Sequence, residues 1–375
     1  MKLKQNFDVI VVGGAHINAL GVIRSLGENG VKPILLLTGR KNGYIKKSKY
    51  VKKTYYCELD ESKIVDILMK QVELDYDRCY IIPTGDYVAA AIDKNLKLLQ
   101  KKYIVPNIDN NENKIVYYMD KFTQYNLACD YDVPTAKSIL INLNKSGIKN
   151  DIYPCILKPV VSANGTKSDI RICQDITTFK DAIKEFKEKK YDEVLLQELL
   201  DYDYELDVPG YCTGKQARVD GIIKKINVYP AKRGSACYMT VGKPNVQIVE
   251  KLKKLFVDIK YNGIFDVDLF VKGDNIYLNE INFRNGAISY ALTGSNIYII
   301  IDWILSNENI KVKNHSIEKN YDFIVEDYNF RLVLSKNISI FKYIKEFVKA
   351  KKYAYLNIKD MKPVVYKLIY GIKKD

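Results

Sequence analysis

Two alternating strands joined by a tight turn constrain the fold of this chain more than any other feature. The sequence FDVDLFVKGDNIYLNEIN alternates in polarity on both sides of Gly273 and Asp274, which predicts an antiparallel hairpin. After the turn, Glu280, Asn282 and Arg284 recur at every second position, so these side chains should share one face of the strand end. Burying a carboxylate, an amide and a guanidinium together is costly unless each has a partner. The hairpin therefore predicts a polar site on a partly buried sheet.

The ligand set of this hairpin favours a divalent cation. Asp268 on the first strand is expected opposite the region of Glu280 and Asn282 on the second. Two carboxylates and an amide oxygen form an all-oxygen site suited to Mg²⁺, with Mn²⁺ as an alternative. Protein-bound magnesium is usually completed by water and nucleotide phosphates, so the cluster predicts ATP or a similar substrate.

Phosphates also need cationic partners. Lys158 ends the apolar strand ILKPVV, where an unpaired lysine would be costly, and Lys121 lies in the helical segment YYMDKF. The turn SANGTK offers Gly165 and several backbone N–H groups that could fold over phosphates. These residues are candidate nucleotide ligands, and for Lys158 the alternative is a salt-bridged structural lysine.

The first part of the chain predicts an open α/β domain. FDVIVV and KPILLLTG are buried β-branched and leucine-rich runs that flank a helical segment, as in a βαβ unit, and CYIIP begins a third such unit. The GxGxxG fingerprint of dinucleotide-binding folds is absent, so nicotinamide or flavin binding is disfavoured. A predicted single helix over residues 113–131 follows, and then strands, helices and the hairpin.

Composition narrows the class of protein further. The chain has 375 residues, two histidines and seven scattered cysteines without CxxC spacing, so zinc sites, disulfides and histidine catalysis are disfavoured. The N-terminus shows no signal-peptide pattern and no run is long enough to span a bilayer, so we expect a cytoplasmic protein. The net charge of the chain is +14, and residues 341–375, with ten lysines and three acidic residues, contribute +7 of it. Nucleic-acid binding is disfavoured because that excess lies in one tail without a recognised motif.

In order along the chain, IIPTGD, MDKF, ILKPVV, LLQELL followed by YELDV, and FDVDLFV with YLNEINFRNG resemble the ATP-grasp superfamily. The similarity runs from about residue 8 to about residue 300. It implies a mixed α/β and α+β protein: an open parallel-sheet domain (residues 1–112), the small ATP-grasp lobe (113–198), the large lobe with the metal site (199–310) and a basic helical C-terminal segment (311–375).

The resemblance also implies roles for individual residues. Asp268, Glu280 and Asn282 would hold two Mg²⁺ ions, and Lys121 and Lys158 would contact the α- and β-phosphates of ATP. The glycine-bearing turn with Gly165 would cover the phosphates.

The nucleoside would lie at the end of the strand EVLLQELL. The residues expected along the adenine are Gln197, Glu198, Leu199 and Leu200. Glu205 would bind the ribose hydroxyls, while Arg284 and the Gly286 backbone would stabilise the transferring phosphoryl group and the oxyanion. Arg233, in PAKRGS, is a further candidate for the acyl phosphate or the substrate carboxylate. Phe283 replaces the usual proline before the final arginine, and SANGTK has one glycine where many relatives have more.

The reaction implied is ADP-forming ligation of a small carboxylate, for which an amino acid is a candidate, to an amine through an acyl phosphate. The first domain is similar in style to D-aspartate ligase-like enzymes, and the basic C-terminal segment favours an amine on a cell-envelope precursor at an anionic inner membrane face. Two alternatives stay open: a ligase making a soluble peptide or amino-acid metabolite, and a non-catalytic ATP-binding protein. A homodimer through the first domain is implied by the resemblance alone.

Overall fold

A parallel four-stranded sheet forms the first unit of the computed structural model, which describes residues 6–160, 169–231 and 234–370. The elements of this unit are β1 (Asp8–Gly13), α1 (Ile17–Glu28), β2 (Ile34–Thr38), β3 (Lys53–Cys57), α2 (Glu61–Lys70), β4 (Cys79–Pro83), α3 (Asp86–Lys94) and α4 (Leu96–Leu99). The strand order is β3-β2-β1-β4. Val9 and Val11 pack into one core and Ile10 and Val12 into another, so β1 is buried on both faces as its sequence predicts.

Two helices connect this unit to the rest of the chain, where the sequence predicted one. After β5 (Asn107–Ile108) come α5 (Lys114–Tyr118) and α6 (Lys121–Asp130). The single-helix prediction is wrong because Asp120 is the N-cap of α6: its side chain accepts a 2.7 Å hydrogen bond from the Thr123 N–H. This break places Lys121 in the first turn of α6.

The small lobe is an antiparallel sheet covered by one helix. It contains β6 (Ser138–Asn142), β7 (Cys155–Pro159), β8 (Arg171–Cys173), α7 (Ile176–Glu188) and β9 (Glu193–Glu198). The strand order is β6-β9-β7-β8. Phe179 and Phe186 of α7 pack on Leu157 and Leu196 of the sheet. The turn SANGTK between β7 and β8 lies outside the described residues.

A nine-stranded, mostly antiparallel sheet dominates the remainder. Its strands beyond β5 are β10 (Tyr204–Thr213), β11 (Ala217–Arg218), β12 (Ile222–Tyr229), β13 (Ser235–Gly242), β14 (Tyr261–Lys272), β15 (Asn275–Asn282), β16 (Tyr321–Ile324) and β17 (Lys352–Tyr353). The helices are α8 (Val246–Asp258), α9 (Ile299–Asn307), α10 (Glu326–Leu334), α11 (Ile340–Lys349) and α12 (Lys362–Tyr370). The main order is β15-β14-β10-β12-β13-β16-β17, with β11 paired to β10 and β5 to β14.

The C-terminal segment is less purely helical than its sequence suggested. Besides α10, α11 and α12 it contains β16 and β17, and β16 pairs with β13 of the large sheet. Residues of this segment, of the first unit and of the large sheet share one hydrophobic core, with Phe323 and Trp303 fully buried in it. The segment is therefore packed into the rest of the protein. The domain boundaries given above stay a prediction.

None of the helices in the described part of the chain is both long and apolar enough to cross a bilayer.

Candidate active site

The predicted hairpin is present in the structure, and a β-bulge in its second strand determines which face of the sheet Glu280 and Asn282 occupy. Asp268 pairs with Glu280 and Asp266 with Asn282, but Leu269 pairs with Leu278. One extra residue, Asn279, is thus inserted into β15. Without this bulge, strict alternation would put Glu280 on the same side as Leu278, in the core beneath the sheet. With it, Leu278 and Ile281 both enter that core, and Glu280 and Asn282 face the opposite side.

That opposite side opens into a cavity of about 540 Å³. It lies between the first unit, the small lobe and the large sheet, because its lining includes Asp86 at the start of α3, Lys158 on β7 and Asp268 on β14. Tyr328 of α10 also lines it, so the C-terminal segment contributes to this site. A cavity bounded by three units can receive several reactants at once.

Lys225 of β12 is the centre of the acidic side of the cavity. Its Nζ lies 2.9 Å from Glu205, 2.8 Å from Asp207 and 2.9 Å from Asp268. Burial opposes a charged lysine, but the three carboxylates outweigh burial and raise the pKa of Lys225 well above its usual value. Burial raises the pKa of Asp207. Burial also acts to raise the pKa of Asp268, but the charge of Lys225 opposes burial and the pKa of Asp268 is lowered. In the ligand-free protein the Lys225 ammonium therefore supplies the positive charge among the three carboxylates that a metal ion could otherwise supply.

A chain of hydrogen bonds joins the metal-site candidates to the first unit. Asn282 Nδ2 donates to Asp268 Oδ2 at 3.0 Å, and Asn282 Oδ1 accepts from Arg284 at 2.9 Å. Arg284 Nε in turn donates to Asp86 Oδ1 at 2.8 Å. Asn282 Oδ1 keeps a second lone pair, so it could bind a cation without releasing Arg284. Asp86 positions the guanidinium at the edge of the cavity.

Lys158 lies on the small-lobe side and has an unusually acidic ammonium group. Its Nζ donates to Gln197 Oε1 at 2.8 Å, and Gln197 donates to Ser138 Oγ at 2.9 Å. Burial, and secondarily the charge of Lys121, lower the pKa of Lys158 to about 8, while Glu280 opposes them. A buried lysine near a second lysine is expensive to keep charged, and an anionic ligand would relieve that cost.

Asp266 is on β14, where it pairs with Asn282 of β15, and its carboxyl group has a raised pKa. Burial, followed by the charge of Asp268, raises its pKa to about 7. Its Oδ1 is buried and has no hydrogen-bond partner among the described residues. A methyl group on Gly286 would overlap the Asp266 carboxylate, so the glycine is required by this close approach. Gly286 thus acts on the site through packing with Asp266.

The structure brings half of the predicted site residues together. Those lining the cavity are Lys121, Lys158, Glu205, Asp268, Glu280, Asn282 and Arg284. The described lining does not include Gln197, Glu198, Leu199, Leu200 or Gly286. Gln197 accepts a hydrogen bond from Lys158, which does line the cavity. The N–H groups of Glu198 and Leu199 donate to the carbonyl oxygens of Lys137 and Pro154. Gly165 and Arg233 lie outside the described residues. The roles assigned to all these residues stay predictions.

Several polar residues of the site were missed by reasoning from the sequence, among them three aspartates and a lysine. Asp207, Lys225, Asp266 and Asp86 all line the cavity. Asp207 and Asp266 could have been found from strand alternation, since each lies two residues from a predicted site residue, Glu205 or Asp268. Lys225 follows another lysine in IIKKI and gave no signal of its own, because only the pairing of β10 with β12 brings it to the carboxylates.

The donor set fits a magnesium nucleotide. Oxygens of Asp268, Glu280 and Asn282 line the same cavity as the cations of Lys121 and Lys158. Hard oxygen ligands suit Mg²⁺, and ammonium groups suit phosphates. An unpartnered buried oxygen on Asp266 is a further sign that this region accommodates a cation or its water.

Comparison with known sequences gives partial matches to one group of enzymes. A formate-dependent phosphoribosylglycinamide formyltransferase of Aliivibrio fischeri is 26% identical over 243 residues, covering 55% of this chain and 59% of that enzyme. The carbamoyl phosphate synthase large chain of Buchnera aphidicola is 26% identical over 152 residues, covering 39% of this chain and 14% of the relative. The chain thus spans less than two thirds of the length of these relatives. No protein-family model matches.

Solved structures resemble nearly the whole chain. N5-carboxyaminoimidazole synthetase from Staphylococcus aureus complexed with ADP superimposes with a TM-score of 0.66 at 16% identity, covering 90% of this chain and 87% of that one. L-amino acid ligase from Bacillus licheniformis gives a TM-score of 0.61 at 13% identity, with 79% and 73% covered. At such identities the likeness shows a shared fold.

The architecture is that of the ATP-grasp fold, in which an open α/β unit precedes two antiparallel lobes. The partial sequence matches and the shared fold agree with the resemblance found in the sequence, which is confirmed.

Proposed function

We propose that this protein is an ATP-dependent, ADP-forming ligase that activates a small carboxylate as an acyl phosphate and joins it to an amine. One observation carries the proposal: a single cavity is lined both by the oxygens of Asp268, Glu280 and Asn282 and by the cations of Lys158 and Arg284. The relatives and the ADP-bound neighbour support the same chemistry.

The residues of the chain divide the work between binding and charge stabilisation. Asp268, Glu280 and Asn282 would hold Mg²⁺, which when bound neutralises charge on the phosphates of ATP. Lys158 would bind a phosphate and regain its full charge there. Arg284 would stabilise charge that develops on the transferring phosphoryl group.

The bond changes follow from this arrangement. A carboxylate oxygen of the substrate attacks the γ-phosphorus, the bond from that phosphorus to the bridging oxygen breaks, and ADP leaves. The amine nitrogen then attacks the acyl carbon, phosphate leaves, and the nitrogen loses a proton. Asp266, whose pKa burial and the charge of Asp268 raise to about 7, lines the same cavity, and we assign it a positioning role through its pairing with Asn282.

The substrates are the finer part of the proposal. The named relatives act on different molecules, so their names do not select one carboxylate for this chain. We favour an amino acid as the carboxylate and an amine on a cell-envelope precursor as the acceptor. The basic, partly apolar surface of the C-terminal segment described below is what supports a membrane-bound acceptor over a soluble one.

A screen for ADP release tests the reaction class. Purified protein is incubated with Mg²⁺, ATP and amino acids singly and in pairs, and products are identified by mass. Glu280→Gln should lower ADP formation by about 100-fold or more because a metal ligand is lost, while the fold remains intact. Glu250→Gln is the matched control, since Glu250 is an exposed residue of α8.

Two results would contradict the proposal. Release of AMP instead of ADP would exclude the acyl-phosphate route. Binding of nucleotide without turnover for any substrate pair, equal in wild type and Glu280→Gln, would favour the non-catalytic alternative.

A further inference from the structure

Helix α11 exposes a continuous apolar stripe to solvent. Ile340 is 42% exposed, Phe341 79%, Ile344 51% and Val348 75%. At about 100° per residue these four side chains fall within an arc of roughly 100° on one side of the helix. Large exposed apolar side chains clustered on one helix face mark an interaction surface.

The opposite face of α11 holds the helix firmly in place. Glu346 is buried and accepts hydrogen bonds from Asn227 at 3.0 Å and Asn329 at 2.8 Å. Tyr343 packs edge-on against Phe330 of α10, with ring centroids 5.4 Å apart. Helix α11 is therefore packed on the protein through its other face, and the apolar stripe faces solvent.

The charges beside the stripe are basic. Lys342, Lys345 and Lys349 are exposed, whereas the acidic partners of two of them, Glu346 and Asp322, are buried. Residues 341–375 as a whole hold ten lysines and three acidic residues. Apolar side chains flanked by lysines are the pattern of helices that lie in the interface of an anionic bilayer.

We infer that the face of α11 formed by Ile340, Phe341, Ile344 and Val348, with its flanking lysines, docks on an anionic membrane surface. The four apolar side chains enter the headgroup region, and the lysines contact lipid phosphates. The helix lies along the membrane, and no helix among the described residues crosses it.

A second copy of this chain fits the same face less well. A two-fold interface centred on the stripe would pair the patch with itself and bring the lysines of one helix towards those of the other. Like charges brought together at a partly desolvated interface oppose association. An anionic lipid surface complements both the apolar stripe and the charge.

Docking through α11 also has a consequence for the proposed reaction. Helix α10 packs on α11 and carries Tyr328 to the lining of the active-site cavity. One helix thus separates the docking face from the site that would receive a membrane-bound amine. This consequence rests on the proposed function, but the docking does not.

Vesicle co-sedimentation tests the inference without measuring catalysis. Full-length protein is spun with vesicles of phosphatidylcholine alone or mixed with phosphatidylglycerol. We expect binding to the anionic vesicles that weakens in high salt, and a loss of about tenfold or more in affinity for the double variant Phe341→Asp/Val348→Asp. Lys345→Glu should weaken binding by less. Deleting residues 341–375 is unsuitable because it removes Asp360, the buried partner of Arg24.

Leu59→Asp is the matched control, because Leu59 is an apolar residue of the first unit that is 53% exposed. It should bind vesicles like wild type, and all variants should share one unfolding midpoint. The inference is overturned if wild type ignores anionic vesicles, or if the double variant binds them equally well. It is likewise overturned if Phe341→Asp/Val348→Asp splits a dimer in analytical ultracentrifugation without changing vesicle binding. Vesicle binding with no ADP release would contradict the ligase proposal and leave the docking inference intact.

Discussion

Arg24 and Asp360 are 336 residues apart in the chain, yet they form an ion pair with no exposed side-chain surface, Nε to Oδ2 at 3.1 Å. The other guanidinium N–H groups donate to the carbonyl oxygens of Ala354, Tyr355 and Asp360. The Asp360 carboxylate also accepts from the Ser48 hydroxyl at 2.8 Å. Every strong partner of this buried cation thus comes from the C-terminal segment, which is tied to the first unit of the fold.

Asp360→Asn should therefore destabilise the whole protein. It leaves the Arg24 charge buried without its counter-charge, and breaking a buried ion pair costs about 3–5 kcal/mol. The free energy of unfolding is measured by urea denaturation. Glu73→Gln is the control: Glu73 pairs with Lys53 at 2.6 Å on the surface, where ion pairs contribute little. Equal effects of the two substitutions would contradict the structural role of the C-terminal segment.

Lys225 should behave as an internal substitute for a metal ion. Lys225→Met leaves Glu205, Asp207 and Asp268 repelling one another, so we expect a loss of about 3 kcal/mol in stability without divalent cations. Mg²⁺ should then raise the melting temperature of the variant more than that of wild type. Thermal unfolding with and without Mg²⁺ measures both effects.

Lys224→Met provides the comparison for that experiment. Lys224 is adjacent in sequence, but its ammonium lies 3.4 Å from the centre of the Tyr204 ring, away from the three carboxylates. Its variant should show the wild-type response to Mg²⁺. A Lys225→Met protein that is equally insensitive to the cation would show that the carboxylates do not form a metal site.

The sequence predicted the elements of the fold better than the details of the site. Continuous apolar runs gave the buried parallel strands, and alternation around Gly273 gave the hairpin, because those patterns are local. The bulge at Asn279 has no local signature, so alternation alone could not say which face Glu280 takes. The expectation that Asp268 faces Glu280 and Asn282 came from the chemistry of the three side chains, which together suit a metal ion.

Long-range contacts account for the remaining differences. Lys225 reaches the site only through strand pairing across the large sheet, and Tyr328 only through the return of the C-terminal segment. That segment looked like an independent basic helical extension because Asp360 and Arg24 carry no sign of each other in the sequence. Its packing role depends on contacts made across almost the full length of the chain.

Nucleotide affinity should depend on pH through Lys158. Burial and the charge of Lys121 lower the pKa of Lys158 to about 8, and the protonated form is the one that binds phosphate. The ligand-free protein loses this proton above pH 8, so ADP affinity should fall as pH rises from there, by up to about tenfold per unit. Binding near pH 9 should also take up protons. Calorimetry in buffers of different ionisation enthalpy measures both quantities.

Lys158→Arg separates this effect from other titrations, since arginine stays charged throughout that range. Its ADP affinity should be nearly independent of pH between 8 and 10. The folding stability of the ligand-free wild type depends on pH in the opposite direction to its ADP affinity. The unfolded chain holds the lysine proton up to about pH 10.5, so this residue adds stability as pH rises from about 8. A wild-type affinity as flat as that of Lys158→Arg would contradict the assignment of Lys158 to phosphate binding.

Gly286→Ala should damage both stability and activity through Asp266. The added methyl group would overlap the Asp266 carboxylate and come 2.8 Å from Ser289 Oγ, so the buried carboxyl must move. Overpacking of this kind costs about 1–3 kcal/mol, and displacing Asp266 also disturbs Asn282, its partner across the hairpin. Gly14→Ala is the control, because the nearest atom to its new methyl group would be Thr38 O at 3.8 Å. Urea denaturation and ADP release are measured for both variants. If Gly286→Ala were as stable and active as Gly14→Ala, the close packing of Gly286 on Asp266 would have no part in positioning the metal-site hairpin.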